Sequence, residues 1–153
     1  MKKSISILYA LLLLMAGLTI SSCGGGGGDD PTPTTPTPSA TETNTQFLSS
    51  GNWKVSSVKV DGVDQSSLFT GFTLQFTSSS YTTTNGDPVW PASGSWSFTD
   101  ATATTVKRSD GVVITISSIS TTNFVFTLTW DKTTLGAGRA SSVKGTHTFA
   151  MTK

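Results

Sequence analysis

The chain has 153 residues, of which 35% are hydrophobic and 12% charged, and its 23 serines and 28 threonines make up one third of the total. One histidine and one cysteine exclude a zinc cluster and an intramolecular disulfide framework, so any fold must rest on its own apolar core. The formal charge is +1, and removing Lys2 and Lys3 from the 10 basic residues leaves 8 against 9 acidic ones, which argues against nucleic acid as a partner.

Met1 to Ser22 has the parts of a secretory signal: a basic start at Lys2 and Lys3, an apolar stretch from Ile5 to Ile20, and small residues before a cut. The apolar stretch is short for a bilayer span, which needs about 20 residues, so a cleaved signal is favoured over a permanent transmembrane helix. The run Leu18-Thr19-Ile20-Ser21-Ser22-Cys23-Gly24 resembles the lipobox of bacterial lipoproteins. That resemblance implies cleavage before Cys23, attachment of palmitate-type acyl chains to it, and stable membrane anchoring, since each buried methylene contributes about 0.8 kcal/mol. An ordinary secretory signal with a cysteine at the cut is the alternative.

Residues 23–45 read as a tether. Gly24 to Gly28 form a flexible hinge, Asp29 and Asp30 keep it solvated, and the Pro/Thr alternation from Pro31 to Pro38 favours extended polyproline II. Fully stretched, the 23 residues from Gly24 to Gln46 reach about 75 Å. Cysteine, glycine run and acidic pair resemble the lipoproteins of Bacteroidetes, which implies the outer membrane, either its periplasmic leaflet or the cell surface.

Residues 46–153 alternate apolar with polar side chains and contain no helical periodicity. Eight strands are predicted: Asn52 to Val60, Phe72 to Thr77, Tyr81 to Thr84, Gly94 to Thr99, Thr104 to Arg108, Val112 to Ser117, Asn123 to Trp130 and Val143 to Lys153. Asp61-Gly62, Asn85-Gly86 and Asp110-Gly111 punctuate them, the last expected as a hairpin with two central residues at positive φ. A phase switch at Ser56-Ser57 predicts a bulge. The apolar faces, from Trp53 and Val55 through Phe72, Leu74 and Phe76 to Phe149 and Met151, make one core. An all-β, eight-stranded antiparallel up-and-down barrel removes every exposed edge, and a two-layer sandwich is the alternative.

Gly51-Asn52-Trp53 opens the first strand, and Gly-x-Trp at the head of a β meander resembles the lipocalin and fatty-acid-binding superfamily, in particular its small lipoprotein members from Bacteroidetes. The resemblance implies that Gly51 and Trp53 plug one end of the barrel, that an arginine near the last strand covers the tryptophan, and that the other end admits a small hydrophobic ligand. Asp61 to Gly71 is too short for the helix pair of fatty-acid-binding proteins, and neither Arg108 nor Arg139 clearly matches the arginine.

The residues expected to line a cavity are Phe76, Tyr81, Trp96, Phe126 and Trp130, with His147 as a polar contact. Trp90, between Pro88 and Pro91, is expected at the rim, where it stacks on a sugar ring or meets an apolar ligand, or else folds over the barrel end as a lid. Arg139 and Lys144 flank a turn that an anion could use. The aspartates of the domain sit at turns, no residue is assigned to catalysis, and no cofactor or metal is implied. Two readings stand: a lipid-anchored module binding a small hydrophobic or amphipathic ligand, or a filled barrel whose surface contacts a glycan or a protein.

Overall fold

The computed structural model describes residues 36–132 and 144–153. The signal segment, Cys23, the glycine run, Gly136, Arg139 and Val143 lie outside them. Pro36–Lys153 is one compact unit. It begins with helix α1 (Ala40–Ser49) and continues as strands β1 (Asn52–Val60), β2 (Val63–Asp64), β3 (Thr73–Phe76), β4 (Ser80–Thr84), β5 (Ser93–Phe98), β6 (Thr105–Arg108), β7 (Val113–Ile119), β8 (Asn123–Trp130) and β9 (Gly145–Thr152), with a 3-10 turn at Ser66–Phe69. Each of β3 to β8 pairs antiparallel with the next, and β1 pairs with both β3 and β9, which closes an eight-stranded barrel; β2 is a ninth, two-residue strand folded back on the end of β1. A closed barrel with its own cap and core meets the requirements of an independently folding domain.

The expected absence of helices fails at α1, and with it the assignment of Ser39 to Thr45 to the tether. Ser39 caps the helix: its Oγ accepts from the Glu42 N–H at 3.2 Å, while its own N–H donates to Glu42 Oε2 at 2.8 Å. This reciprocal capping box satisfies two orphan donors and starts a helix that its threonine-rich interior would not start alone. The Glu42 carboxyl is held below its usual range by the backbone N–H and hydroxyl of Ser39.

The predicted bulge in β1 is present, with the register against β9 shifting between Val55 and Ser57, so Trp53 and Val58 both face inward. A second bulge shifts β7 against β8 between Ile116 and Ser118. The turns divide differently from expectation. Asp61 (φ 47°) and Gly62 (φ 84°) both take positive φ, whereas at the β6–β7 hairpin only Gly111 does (φ 88°). There Gly111 N–H donates to Arg108 O at 3.0 Å and Arg108 N–H to Val112 O at 3.0 Å, a three-residue loop with glycine in the left-handed position.

The core is one cluster. Of the predicted inward residues, only Val55, Phe98 and Val112 are partly buried, packed against its margin. To it the fold adds Leu48 from α1, Val58 from β1, Phe69 from the 3-10 turn, and Val89 and Trp90 from the β4–β5 loop. The register sets the polarity of the barrel. Asn52, Phe76, Thr105, Ile119, Asn123 and Thr152 lie toward one end, and Val60, Thr84, Arg108, Val113, Trp130 and Gly145 toward the other.

Candidate functional site

The end nearest Asn52 is closed. Trp53 is fully buried, its Nε1–H donates to Leu48 O at 3.0 Å, and its ring packs on Phe124 at 5.4 Å between centroids. Asn44 ties α1 across this end by donating to Ala103 O at 3.1 Å. The cation over Trp53 is Lys153 rather than an arginine: Nζ stands 4.0 Å from the ring centroid and donates to Phe47 O at 3.1 Å and to Ser50 Oγ. One ammonium thus covers the tryptophan face and satisfies a carbonyl at the helix C-terminus, where a positive charge is favourable. Burial lowers the pKa of this lysine.

Phe76 and Trp96, expected at a cavity, belong to the closed half. Phe76 meets Trp96 at 5.5 Å and Phe124 at 6.1 Å, and Trp96 Nε1–H donates to the carbonyls of Thr77 and Ser80 at the β3–β4 turn. Phe126 is central, stacked on Phe149 at 5.0 Å and touching Phe124 at 4.7 Å. The rings therefore run without interruption from the plug to the middle of the barrel.

Trp90 does not stand at the rim. It is 0% exposed and points inward among Phe72, Tyr81 and Phe126 at 6.0, 5.4 and 5.6 Å. It cannot stack on a sugar without leaving that place, and the lid arrangement is the one observed. The latch is Arg108, a residue sequence reasoning set aside: 2% exposed, it lies 4.5 Å over the Trp90 ring and donates from Nη1 to Val89 O at 2.9 Å. Its other edge pairs with Asp110, through Nε to Oδ1 at 3.1 Å and through Nη2 to Oδ2. Burial works to raise the Asp110 pKa, but the hydrogen bonds and charge of Arg108 prevail and hold it below the usual carboxylate range. A buried guanidinium is tolerated here because a carboxylate, a carbonyl and two aromatic faces surround it.

His147 and Trp130 share the inner face of the half away from Trp53. The His147 ring stacks on Phe149 at 5.9 Å and meets Phe69 edge-on at 6.0 Å, and its Nδ1 is 3.2 Å from Gly145 O. Burial lowers its pKa, against the opposing effects of the Gly145 carbonyl and Asp61, so the ring is neutral at pH 7. Four buried polar atoms have no hydrogen-bond partner among the described residues: Tyr81 Oη, Trp90 Nε1, Trp130 Nε1 and His147 Nε2. Tyr81 Oη is partly compensated, because Arg108 acts on it electrostatically, yet burial still raises its pKa. Each such atom costs about 1–3 kcal/mol unless something outside the described residues pairs with it.

The described surface carries shallow grooves. A groove of about 510 Å³ runs over the outer side of the β7–β8 edge, lined by Asp110, Val113, Thr115, Thr129 and Lys132 among others, and one of about 430 Å³ is lined by Ser79, Ser95, Ser97, Ser109, Lys107 and parts of Trp96 and Arg108. The threonine rows form a solvated outer face, with Thr115, Thr127, Thr148 and Lys59 in register across four strands. Arg139, and with it the anion site expected between Arg139 and Lys144, lies outside the described residues. Among the described residues no group of three or more His, Cys, Asp or Glu side chains is placed to hold a metal, and no helix is long and apolar enough to cross a membrane.

The residues missed in the sequence are Arg108 and the capping pair. Ser39-Ala40-Thr41-Glu42 is a readable capping-box motif. Arg108 had one signal, an arginine at an inward position two residues after Val106, but its carboxylate and its tryptophan arrive from separate loops. Comparison with protein-family models, with curated proteins and with solved structures found no match, so the assignment of this chain rests on its own residues: a closed, eight-stranded antiparallel barrel, capped at one end and latched at the other.

Proposed function

We propose that this chain is an exported lipoprotein of the lipocalin-like kind, anchored to the outer membrane by acyl chains on Cys23, and that its barrel binds a small amphipathic molecule at the end opposite Trp53. The observation that carries the binding reading is the set of orphaned polar atoms in a core otherwise made of rings. An apolar interior built only for stability gains nothing from unpaired N–H groups, whereas a site that receives a ligand keeps them for it. Rings fill the half around Trp53, so a bound molecule enters from the far end by displacing the Trp90 loop or the 3-10 turn.

Native mass spectrometry of Pro36–Lys153, secreted from a related bacterium and purified gently, tests the binding reading. A stoichiometric extra mass that leaves on denaturation supports it; a bare mass from several hosts and growth conditions overturns it. Labelling of the full chain with an alkynyl palmitate tests the anchor, with Cys23→Ala expected to abolish incorporation. Protease accessibility on intact cells separates the cell surface from the periplasmic leaflet.

A second reading has its own observation. The unbroken ring network from Trp53 through Phe124 and Phe126 to Trp90 is what a filled barrel needs, and such a barrel would work through its surface on a glycan or another protein. A bare mass together with retention on a glycan array would favour it.

A further inference from the structure

Trp90 reaches the interior from a loop, between Pro88 and Pro91, and not from a strand, yet it is 0% exposed. Tyr81 and Phe126 stand nearly perpendicular to its ring, at 89° and 79°, Phe72 is tilted by 38°, and the Arg108 guanidinium lies 4.5 Å over its face. Tyr81, Phe126 and Arg108 belong to β4, β8 and β6, and Phe72 directly precedes β3, so the walls of this slot are carried by the sheet and its margin whereas the occupant is not. The fit is tight, since a Cβ on Gly86 would stand 2.6 Å from Trp90 Cβ and 2.9 Å from Trp90 O.

The two segments that close this end are held differently. The 3-10 turn is fixed to β1 at its start, Gln65 N–H donating to Val58 O at 2.8 Å and Ser66 Oγ accepting from Val58 N–H at 3.0 Å. The Trp90 loop is fixed to β4 at its base, where the Thr83 hydroxyl donates to Pro91 O at 2.9 Å and the Thr83 N–H to Ala92 O at 2.8 Å. Its tip is held through a side chain, Arg108 Nη1 donating to Val89 O at 2.9 Å. A side-chain latch opens without breaking a strand ladder, which makes the Trp90 loop the segment that yields.

Resting on the far-end binding reading above, we propose that Trp90 is the resident occupant of a ligand slot, that a neutral, flat aromatic molecule about the size of an indole takes its place, and that Arg108 governs how often the slot is vacated. The ligand class follows from the walls. A planar ring system reproduces the edge-to-face contacts with Tyr81 and Phe126 and offers the guanidinium a π face, whereas a puckered alicyclic of the same size has no such face. A cation is repelled by Arg108, and a carboxylate finds that side chain already bonded through two nitrogens to Asp110. A buried guanidinium–carboxylate pair adds little net stability over an apolar replacement, so its use here is to hold the tip by a bond that can open. Apparent affinity is the intrinsic affinity reduced by the fraction of molecules with Trp90 withdrawn, so a change that disfavours the inserted ring tightens binding. Gly86→Ala is such a change, because the added methyl crowds the inserted Trp90.

The test is a titration of Pro36–Lys153 carrying 5-fluorotryptophan with 2-naphthol and, separately, with its saturated counterpart decahydro-2-naphthol, followed by fluorine nuclear magnetic resonance with the Trp90 signal assigned from Trp90→Phe. The expected results are saturable binding of 2-naphthol, a solvent isotope shift of the Trp90 signal that appears only in the bound state, binding of the saturated alcohol weaker by about tenfold or more, and 2-naphthol affinity raised about threefold or more in Gly86→Ala. The parent chain alone decides the matter should Gly86→Ala fail to fold. Binding of 2-naphthol with Trp90 still shielded from solvent, equal binding of the saturated alcohol, or unchanged affinity in a folded Gly86→Ala overturns the Trp90 slot while leaving far-end binding intact. No binding of 2-naphthol to the parent also overturns it, even where Trp90→Ala binds, since that cavity is made by the substitution; the bare native mass described above overturns the binding reading itself.

Discussion

Trp53→Ala removes the ring that closes the barrel. The indole is fully buried against Phe124 and under Lys153, so its loss leaves a large cavity in a closed sheet that cannot collapse, with an expected cost of about 3–5 kcal/mol. The Leu48 carbonyl, near the end of α1, also loses the hydrogen bond from the indole N–H. Trp53→Phe keeps most of the ring contact and forfeits the hydrogen bond, so it should cost about 1–3 kcal/mol. Set against a typical domain stability of about 5–15 kcal/mol, the alanine variant sits near the threshold of folding and the phenylalanine variant well above it. Urea denaturation of Pro36–Lys153 followed by circular dichroism measures both, with the slope against denaturant unchanged if only the native state is affected. Equal midpoints for the two variants, or an alanine variant within 1 kcal/mol of the parent, would refute the placement of Trp53 as a plug.

Gly94→Ala should destabilise by about 1–3 kcal/mol, because the added Cβ would meet Tyr81 Oη at 2.5 Å and Cζ at 2.7 Å; thermal melting of the single variant and of Gly94→Ala with Tyr81→Phe should show partial rescue by the second change. Arg108→Met should free the Trp90 loop, read as faster hydrogen exchange at the Trp90 amide, now bonded to Gly86 O at 2.8 Å; unchanged exchange would remove the latch. Because burial depresses the folded pKa of His147, the unfolded chain binds a proton more readily between the two values, so stability is fully present above the unfolded pKa of about 6.5 and falls as pH drops below it. The limiting slope is about 1.4 kcal/mol per pH unit, and a His147→Phe variant whose melting temperature keeps the same dependence between pH 7 and 5 would show that another group is responsible.

Alternation along the chain was enough to read the barrel. Phe124, Phe126, Leu128 and Trp130 against Val125, Thr127 and Thr129 define a strand with one wet face, and the phase change at Ser56-Ser57 located a bulge, because a strand with a period of two carries its orientation in its own composition. The plug role of Trp53 came instead from the resemblance carried by Gly51-Asn52-Trp53, not from alternation. Helix α1 was missed since it buries only Leu48 and so leaves almost no helical periodicity; its start is written in Ser39 and Glu42, a local motif rather than a pattern of burial. What tertiary structure alone decided is the far end of the barrel. Trp90 and Phe69 are non-strand residues, whose burial depends on which strand ends they meet, and Arg108 is acceptable inside only because Asp110, Val89 and Trp90 converge on it from two separate loops. The adjacency of Trp130 and His147 is likewise a product of register: seventeen positions apart in the sequence, they become diagonal neighbours because Trp130 pairs with Gly145, a distance no local period encodes.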